Sequence, residues 1–224
     1  LYYILEVLTS KYPNVLFEGC SSGGGRFDAG MLYYMPQTWT SDNTDAVCRM
    51  KIQYGTSLVY PPITMGAHVS AVPNNQVGRV TSLQTRGHVA MAANFGYELD
   101  LTKLRNEEKN EIKRQICLYK EIRETVQFGQ FYRILSPFET NETAWNIVSK
   151  DKEEFVAMYF KILSEPATSI RTLKFKGLNS SYLYKDLETG KIYGGDELMH
   201  VGITLKRVKQ DFVSQLWRFK RFKG

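Results

Sequence analysis

Residues 15–28 read Val15-Leu16-Phe17-Glu18-Gly19-Cys20-Ser21-Ser22-Gly23-Gly24-Gly25-Arg26-Phe27-Asp28. A short apolar run bounded by Pro13 on one side and a glycine loop on the other is a strand pattern. Three consecutive glycines carry no side chains, so backbone there can approach a ligand closely. The loop lacks the Gly-Lys-Ser/Thr ending of a phosphate loop and the G-x-G-x-x-G spacing of a dinucleotide site. From spacing alone, a tight structural turn and a ligand loop both stay open.

Outward from this stretch, apolar runs alternate with helical patterns. Leu1 to Tyr12 reads as an amphipathic helix ending before Pro13. Gln37 to Ser41 is a second strand. Asp42 to Tyr54 reads as a helix, with Asn43 or Thr44 available as cap. Ile63 to Val69 and Ala90 to Phe95 are strands three and four. A long helix spans Asn106 to Gln127, where Ile112, Ile116, Tyr119, Ile122 and Val126 share one face and Glu107 and Glu108 favour its amino end. Strand–helix alternation of this kind implies parallel strands joined by crossovers.

Near Ser136-Pro137 the pattern changes. Trp145–Val148, Glu154–Leu163, Ile170–Phe175, Ser181–Leu187, Lys191–Tyr193 and Phe212–Phe222 are strand-like runs separated by turn residues, an antiparallel sandwich pattern. The expected organisation is residues 1–136 as half of an α/β barrel and 137–224 as an all-β sandwich. A half-barrel leaves unpaired strand edges, and Leu1 opens directly into an uncapped helix. Both features predict further strands N-terminal to Leu1.

The chain has 224 residues, 43% hydrophobic and 13% aromatic, which is enough to fill a core. A net charge of +6 raises the question of nucleic acid. The excess lies late, in Lys206, Arg207 and Lys209, then in Arg218, Lys220, Arg221 and Lys223 alternating with Trp217, Phe219 and Phe222. A strand with one solvated face produces this period of two; a polyanion site is the competing reading, without a helix-turn-helix or RNA-binding signature behind it. Cys20, Cys48 and Cys117 are odd in number and form no C-x-x-C pair, which argues against zinc and against a disulfide framework. Cys48 and Cys117 read as small core residues. No apolar run reaches the roughly 18 residues a membrane span needs. The expectation is a cytoplasmic protein with no cofactor and no metal.

A second stretch carries chemistry: Trp39-Thr40-Ser41-Asp42-Asn43-Thr44-Asp45-Ala46. A Trp beside acids at the carboxyl end of a strand suits a sugar site, because the indole offers a flat apolar wall and carboxylates bind hydroxyls or transfer protons. Helix capping by Asp42 and Asp45 is the plainer alternative. His68, His88 and His200 are too scattered for a metal and read as core or loop hydrogen-bonding residues; His68 ends a strand, where active-site loops lie, and a supporting role at a site is its competing reading.

Taken together, Glu18 to Ala46, Lys51-Ile52-Gln53-Tyr54-Gly55-Thr56-Ser57, Met65 to Asn74 and Thr85-Arg86-Gly87-His88 resemble the family 36 α-galactosidases, over essentially the whole chain and most closely over residues 14–100. The resemblance implies a (β/α)8 barrel followed by a β-sandwich, a homo-oligomer (commonly a tetramer), and retaining hydrolysis of terminal α-galactosides such as melibiose and raffinose. Such catalysis uses two carboxyls about 5–5.5 Å apart, one nucleophile and one acid then base. The acid/base matches Asp42. Cys20 and Gly23 match residues lining the galactose pocket, and Trp39 an aromatic wall. Arg26 is expected to organise the loop by pairing with Asp28 or Glu18. The family nucleophile lies in a Lys-Trp-Asp motif that this chain does not contain, so the chain alone is expected to be inactive. An α-N-acetylgalactosaminidase, a galactosyl-transferring relative, and a non-catalytic carbohydrate-binding segment are the alternatives.

Overall fold

The computed structural model describes residues 1–166 and 170–223. Strands β1 (Glu18–Gly19), β2 (Gln37–Trp39), β3 (Met65–Ser70) and β4 (Asn94–Glu98) form a parallel sheet in the order β1-β2-β3-β4. Helix α1 (Tyr2–Lys11) precedes β1. The one-turn segment α2 (Ser21–Gly24) and helix α3 (Ala29–Tyr34) link β1 to β2, α4 (Ala46–Thr56) links β2 to β3, and α5 (Leu83–Ala90) links β3 to β4. Along β3 the period of two sends Met65, Ala67 and Val69 into a core with Leu83, Ala90, Ala93 and Ile112. Gly66, His68 and Ser70 consequently face the other way.

The long helix α6 (Asn106–Phe128) buries Ile112, Tyr119, Ile122 and Val126, as its apolar stripe predicts. Its partner is a six-stranded antiparallel sheet, ordered β10-β9-β12-β7-β6-β5. The strands are β5 (Gln130–Leu135), β6 (Glu142–Val148), β7 (Glu154–Lys161), β9 (Leu183–Asp186), β10 (Ile192–Gly194) and β12 (Val213–Phe222). One face packs Trp145, Ile147, Val156, Met158 and Phe160 against Tyr119, Ile122, Val126 and Met50 from the helices and Met91 just after α5. The other packs Phe155, Tyr159 and Phe219 against Leu173, Leu198 and Ile203. Those last three come from the two-stranded pair β8 (Thr172–Leu173) and β11 (Ile203–Thr204) and from helix α7 (Gly195–His200). The second layer is thus small.

Several expectations are corrected here. The antiparallel sheet opens at Gln130, where β5 pairs with β6, ahead of the expected Ser136-Pro137 boundary. Ala90 ends helix α5, and the fourth strand begins only at Asn94. The run Val89-Ala90-Met91-Ala92-Ala93 is apolar because every residue in it is buried between layers, so periodicity could not separate helix from strand. Cys117 is exposed and Cys48 only partly buried; Cys117 lies off the α6 stripe. The basic run of β12 is neutralised by carboxylates: Arg218 pairs with Glu121, Lys220 with Glu154, and Arg221 and Lys223 with Glu153. These pairs favour a solvated face over a polyanion site. No helix among the described residues is long and apolar enough to cross a membrane.

Candidate active site

In parallel α/β sheets, side chains at the carboxyl ends of neighbouring strands converge on the crevice between the loops. Trp39 is the last residue of β2, and the chain then turns through Thr40, Ser41 and Asp42 before α4 begins. The Trp39 Nε1–H donates to Asp42 Oδ1 at 3.1 Å, and the carboxylate is otherwise exposed. A ladder of short-range hydrogen bonds fixes the segment. Asn43 N donates to Ser41 Oγ at 3.1 Å, Asp45 N to Asn43 Oδ1 at 3.1 Å, and Cys48 N to Asp45 Oδ2 at 2.9 Å.

The helix cap is therefore Asp45, not Asn43 or Thr44, and α4 starts at Ala46 instead of Asp42. Asn43 is used in a turn of its own, while Thr44 Oγ1 accepts from Asn74 Nδ2 at 3.0 Å. The two acids of the motif thus divide. Asp45 is 2% exposed and ion-paired with Arg79, a structural role. Asp42 caps nothing and projects into solvent beside an indole.

The glycine loop lies against this segment. Ser21, Ser22 and Gly23 have φ of 55°, 57° and 72°, and Gly24 has φ of 94°, so the chain coils for one turn in the left-handed sense, with Gly24 N donating to Cys20 O at 2.7 Å. A Cβ on Gly23 would stand 2.7 Å from Asp42 N and 2.9 Å from Ser41 Cα. Glycine is required twice, for the positive φ and for contact with the main chain that carries Asp42. Two non-glycine residues at positive φ cost of order 1 kcal/mol or more each, a strain that concentrates at functional sites.

Beneath Trp39 lies His68 of β3. Its ring stacks on the indole with centroids 4.0 Å apart and planes inclined by 11°. His68 Nε2 is 2.9 Å from Glu98 Oε2 at the end of β4, though not aligned for a hydrogen bond. Burial, and then the nearby Arg49, lower the His68 pKa to about 4; the solvent-exposed Glu98 carboxylate does not offset them. The imidazole is neutral at neutral pH. Arg49 is 2% exposed and reaches from α4 to donate to Gly66 O at 2.6 Å and Ser41 O at 3.3 Å. Burial brings its pKa down to about 10, with Glu98 acting in the opposite sense.

Of the residues expected at the site, Trp39, Asp42 and Gly23 are brought into contact. Cys20 precedes the left-handed turn and is exposed. Arg26 is exposed and pairs with neither expected acid. Asp28 instead caps α3 through Met31 N at 2.8 Å, and Glu18 accepts from Gln37 Nε2 at 2.6 Å. Sequence reasoning missed Arg49, Arg79 and Gln76, whose Nε2 donates to Asp42 O at 2.9 Å. A signal for Arg49 existed: it interrupts the buried face of α4, four residues before Gln53, which donates to Val89 O at 2.8 Å. No group of three or more His, Cys, Asp or Glu residues among the described residues could hold a metal ion.

Comparisons with known proteins place this geometry in company. The Melibiase model matches residues 1–129, and the model of the glycosyl hydrolase family 36 C-terminal domain matches residues 142–219. The chain is 60% identical over 220 residues to the α-galactosidase AgaA of Geobacillus stearothermophilus, a match covering 98% of this chain and 30% of AgaA. It is 48% identical to the α-galactosidase Mel36A of Lactobacillus acidophilus over 98% of this chain and 30% of that protein. A crystal structure of an AgaA variant in complex with raffinose superposes with a TM-score of 0.96 at 59% identity, covering 99% of this chain and 31% of that one. The α-galactosidase of Lactobacillus brevis gives 0.97 at 47% identity, over 100% of this chain and 31% of its own. The chain spans about 30% of the length of the curated relatives it matches.

Proposed function

The chain belongs to the melibiase family, glycosyl hydrolase family 36, and from that membership we propose that it is the acid/base-bearing portion of a retaining α-galactosidase acting on terminal α-D-galactosyl residues. The substrates are oligosaccharides of the raffinose type; crystal structures of AgaA variants hold raffinose and stachyose. The observation that carries the reading is Asp42: an exposed carboxylate at the carboxyl end of a parallel strand, oriented by the Trp39 N–H at 3.1 Å. A general acid needs this placement, free to reach a glycosidic oxygen while fixed in direction.

In the proposed cycle Asp42 gives its proton to the departing aglycone oxygen. A second carboxylate attacks the anomeric carbon from the opposite face, forming a covalent galactosyl intermediate. Asp42, now a carboxylate, takes a proton from water as that water releases galactose. The nucleophile belongs to residues outside this sequence, which has no Lys-Trp-Asp. The sheet β1-β2-β3-β4 is then the carboxyl-terminal half of a (β/α)8 barrel, and the antiparallel sheet the domain that follows it. Trp39, Cys20 and Gly23 line the sugar pocket, and the whole protein assembles from identical subunits.

The test uses two substrates. In the whole protein, Asp42→Ala lowers kcat/KM for raffinose by about 10²–10⁴-fold, the usual worth of a general acid, and far less for nitrophenyl α-galactoside, whose leaving group departs without a proton. Equal losses on both reject the acid role. The 224-residue chain alone is expected to hydrolyse neither.

A further inference from the structure

We propose that His68 is a positioning residue for the acid/base carboxylate, setting the plane of Trp39 and through its indole N–H the direction of Asp42. The inference rests on the proposed function and adds a residue to it.

The geometry forms a short relay. The carboxylate of Asp42 is held by one side-chain donor among the described residues, Trp39 Nε1 at 3.1 Å. An indole N–H points within its ring plane, so the tilt of that plane decides where Asp42 is held. Among the described residues Trp39 is half-buried, and its backbone leaves β2 immediately after it, so the sheet does not fix its ring. The His68 ring does, lying 4.0 Å away and nearly parallel. His68 has no such freedom: it is 9% exposed, on a strand whose six residues are all buried and which is paired on both sides.

The chemistry of the imidazole fits the task. A neutral, flat, compact ring fills the space between the β3 backbone and the indole. A leucine there would offer no plane, and a two-ring indole would lift Trp39 off the sheet. Neither ring nitrogen makes a hydrogen bond among the described residues, although Glu98 lies 2.9 Å from Nε2. Glu98 meets the ring at its edge, which leaves its face to Trp39.

The experiment measures leaving-group dependence in the whole protein. His68→Asn removes the flat ring and keeps a small polar side chain. It is expected to lower kcat/KM for raffinose by about 10–10²-fold, the scale of a misplaced catalytic group, while nitrophenyl α-galactoside falls several-fold less. His68→Phe restores a planar ring and is expected to bring the ratio of the two activities back to within about threefold of the parent, since stacking is the property retained. Equal loss on both substrates for His68→Asn, or a His68→Phe ratio no better than that of His68→Asn, overturns the inference. Asp42→Ala, assayed alongside, separates the two proposals. If it is selective for raffinose and His68→Asn is not, the relay alone fails; if it is unselective, the acid role and the relay fall together.

Discussion

Two buried histidines stand in opposite surroundings. His68 lies at the carboxyl ends of the parallel strands, with both ring nitrogens unbonded and an exposed carboxylate close by. His88 lies in the seam where α5 meets β12, with Nδ1 2.8 Å from Ser214 Oγ and Thr85 Oγ1 donating to Phe212 O at 2.7 Å. In the seam His88 and Ser214 are matched to each other, and the neighbouring Val89, Met91 and Phe160 are enclosed. At the strand ends, φ values are positive, a carboxylate projects into water, and buried donors such as Arg49 Nε lack partners. The seam is built for cohesion, and the strand ends spend part of that cohesion on geometry. Substitutions in the two regions should therefore separate stability from catalysis.

The sharpest contrast comes from Trp145, fully buried on the same face of the antiparallel sheet, where it packs on α6, against Phe131 and Phe160. Trp145→Ala is expected to cost about 3–5 kcal/mol through lost burial and a cavity. Denaturant unfolding reads it as a large fall in midpoint, with the KM of whatever whole protein remains folded unchanged. Gly23→Ala should behave in the reverse manner. Its strained φ costs about 1–3 kcal/mol, but the new methyl presses on the Asp42 main chain, so kcat of the whole protein should fall well beyond the loss of folded protein. A kcat per folded molecule equal to the parent would break the contrast.

Acid affects both regions through the histidines. Burial lowers the pKa of His88 to about 4, as burial and Arg49 do for His68, while an unfolded imidazole titrates near 6.5. Between these values the unfolded chain takes up protons that the native one refuses. The histidines' contribution to stability is therefore full above about pH 6.5 and is lost as pH falls towards 4, at up to about 1.4 kcal/mol per unit for each. His88→Gln should remove one proton from that slope; an unaltered slope would mean that His88 is protonated in the fold. The smallest effect is expected from Arg218→Ala, which breaks a pair with the half-exposed Glu121 and should cost about 0–1 kcal/mol in thermal stability.

The same divide governs what could be read from sequence. The seam was legible because periodic apolar burial writes itself into spacing: the α6 stripe and the long strands β6, β7 and β12 fall close to where alternation puts them. The site was legible as a motif but not as a geometry. Nothing local told Asp45, the cap, from Asp42, the projecting acid, because capping depends on where the helix begins. Four successive positive φ values could not be foreseen across two serines. Strand β5 escaped because Gln130–Leu135 follows a helix with only one glycine between them, where a helix–strand change leaves no turn signature.

The left-handed turn has one more consequence, for exchange between related enzymes. Since a single methyl on Gly23 would already overlap the peptide of Asp42, the two segments behave as mould and casting. Lengthening the Trp39–Asp42 link by one residue would drive new backbone into space the turn fills. Grafts that swap either segment by itself should misfit, while grafts that carry both should be tolerated.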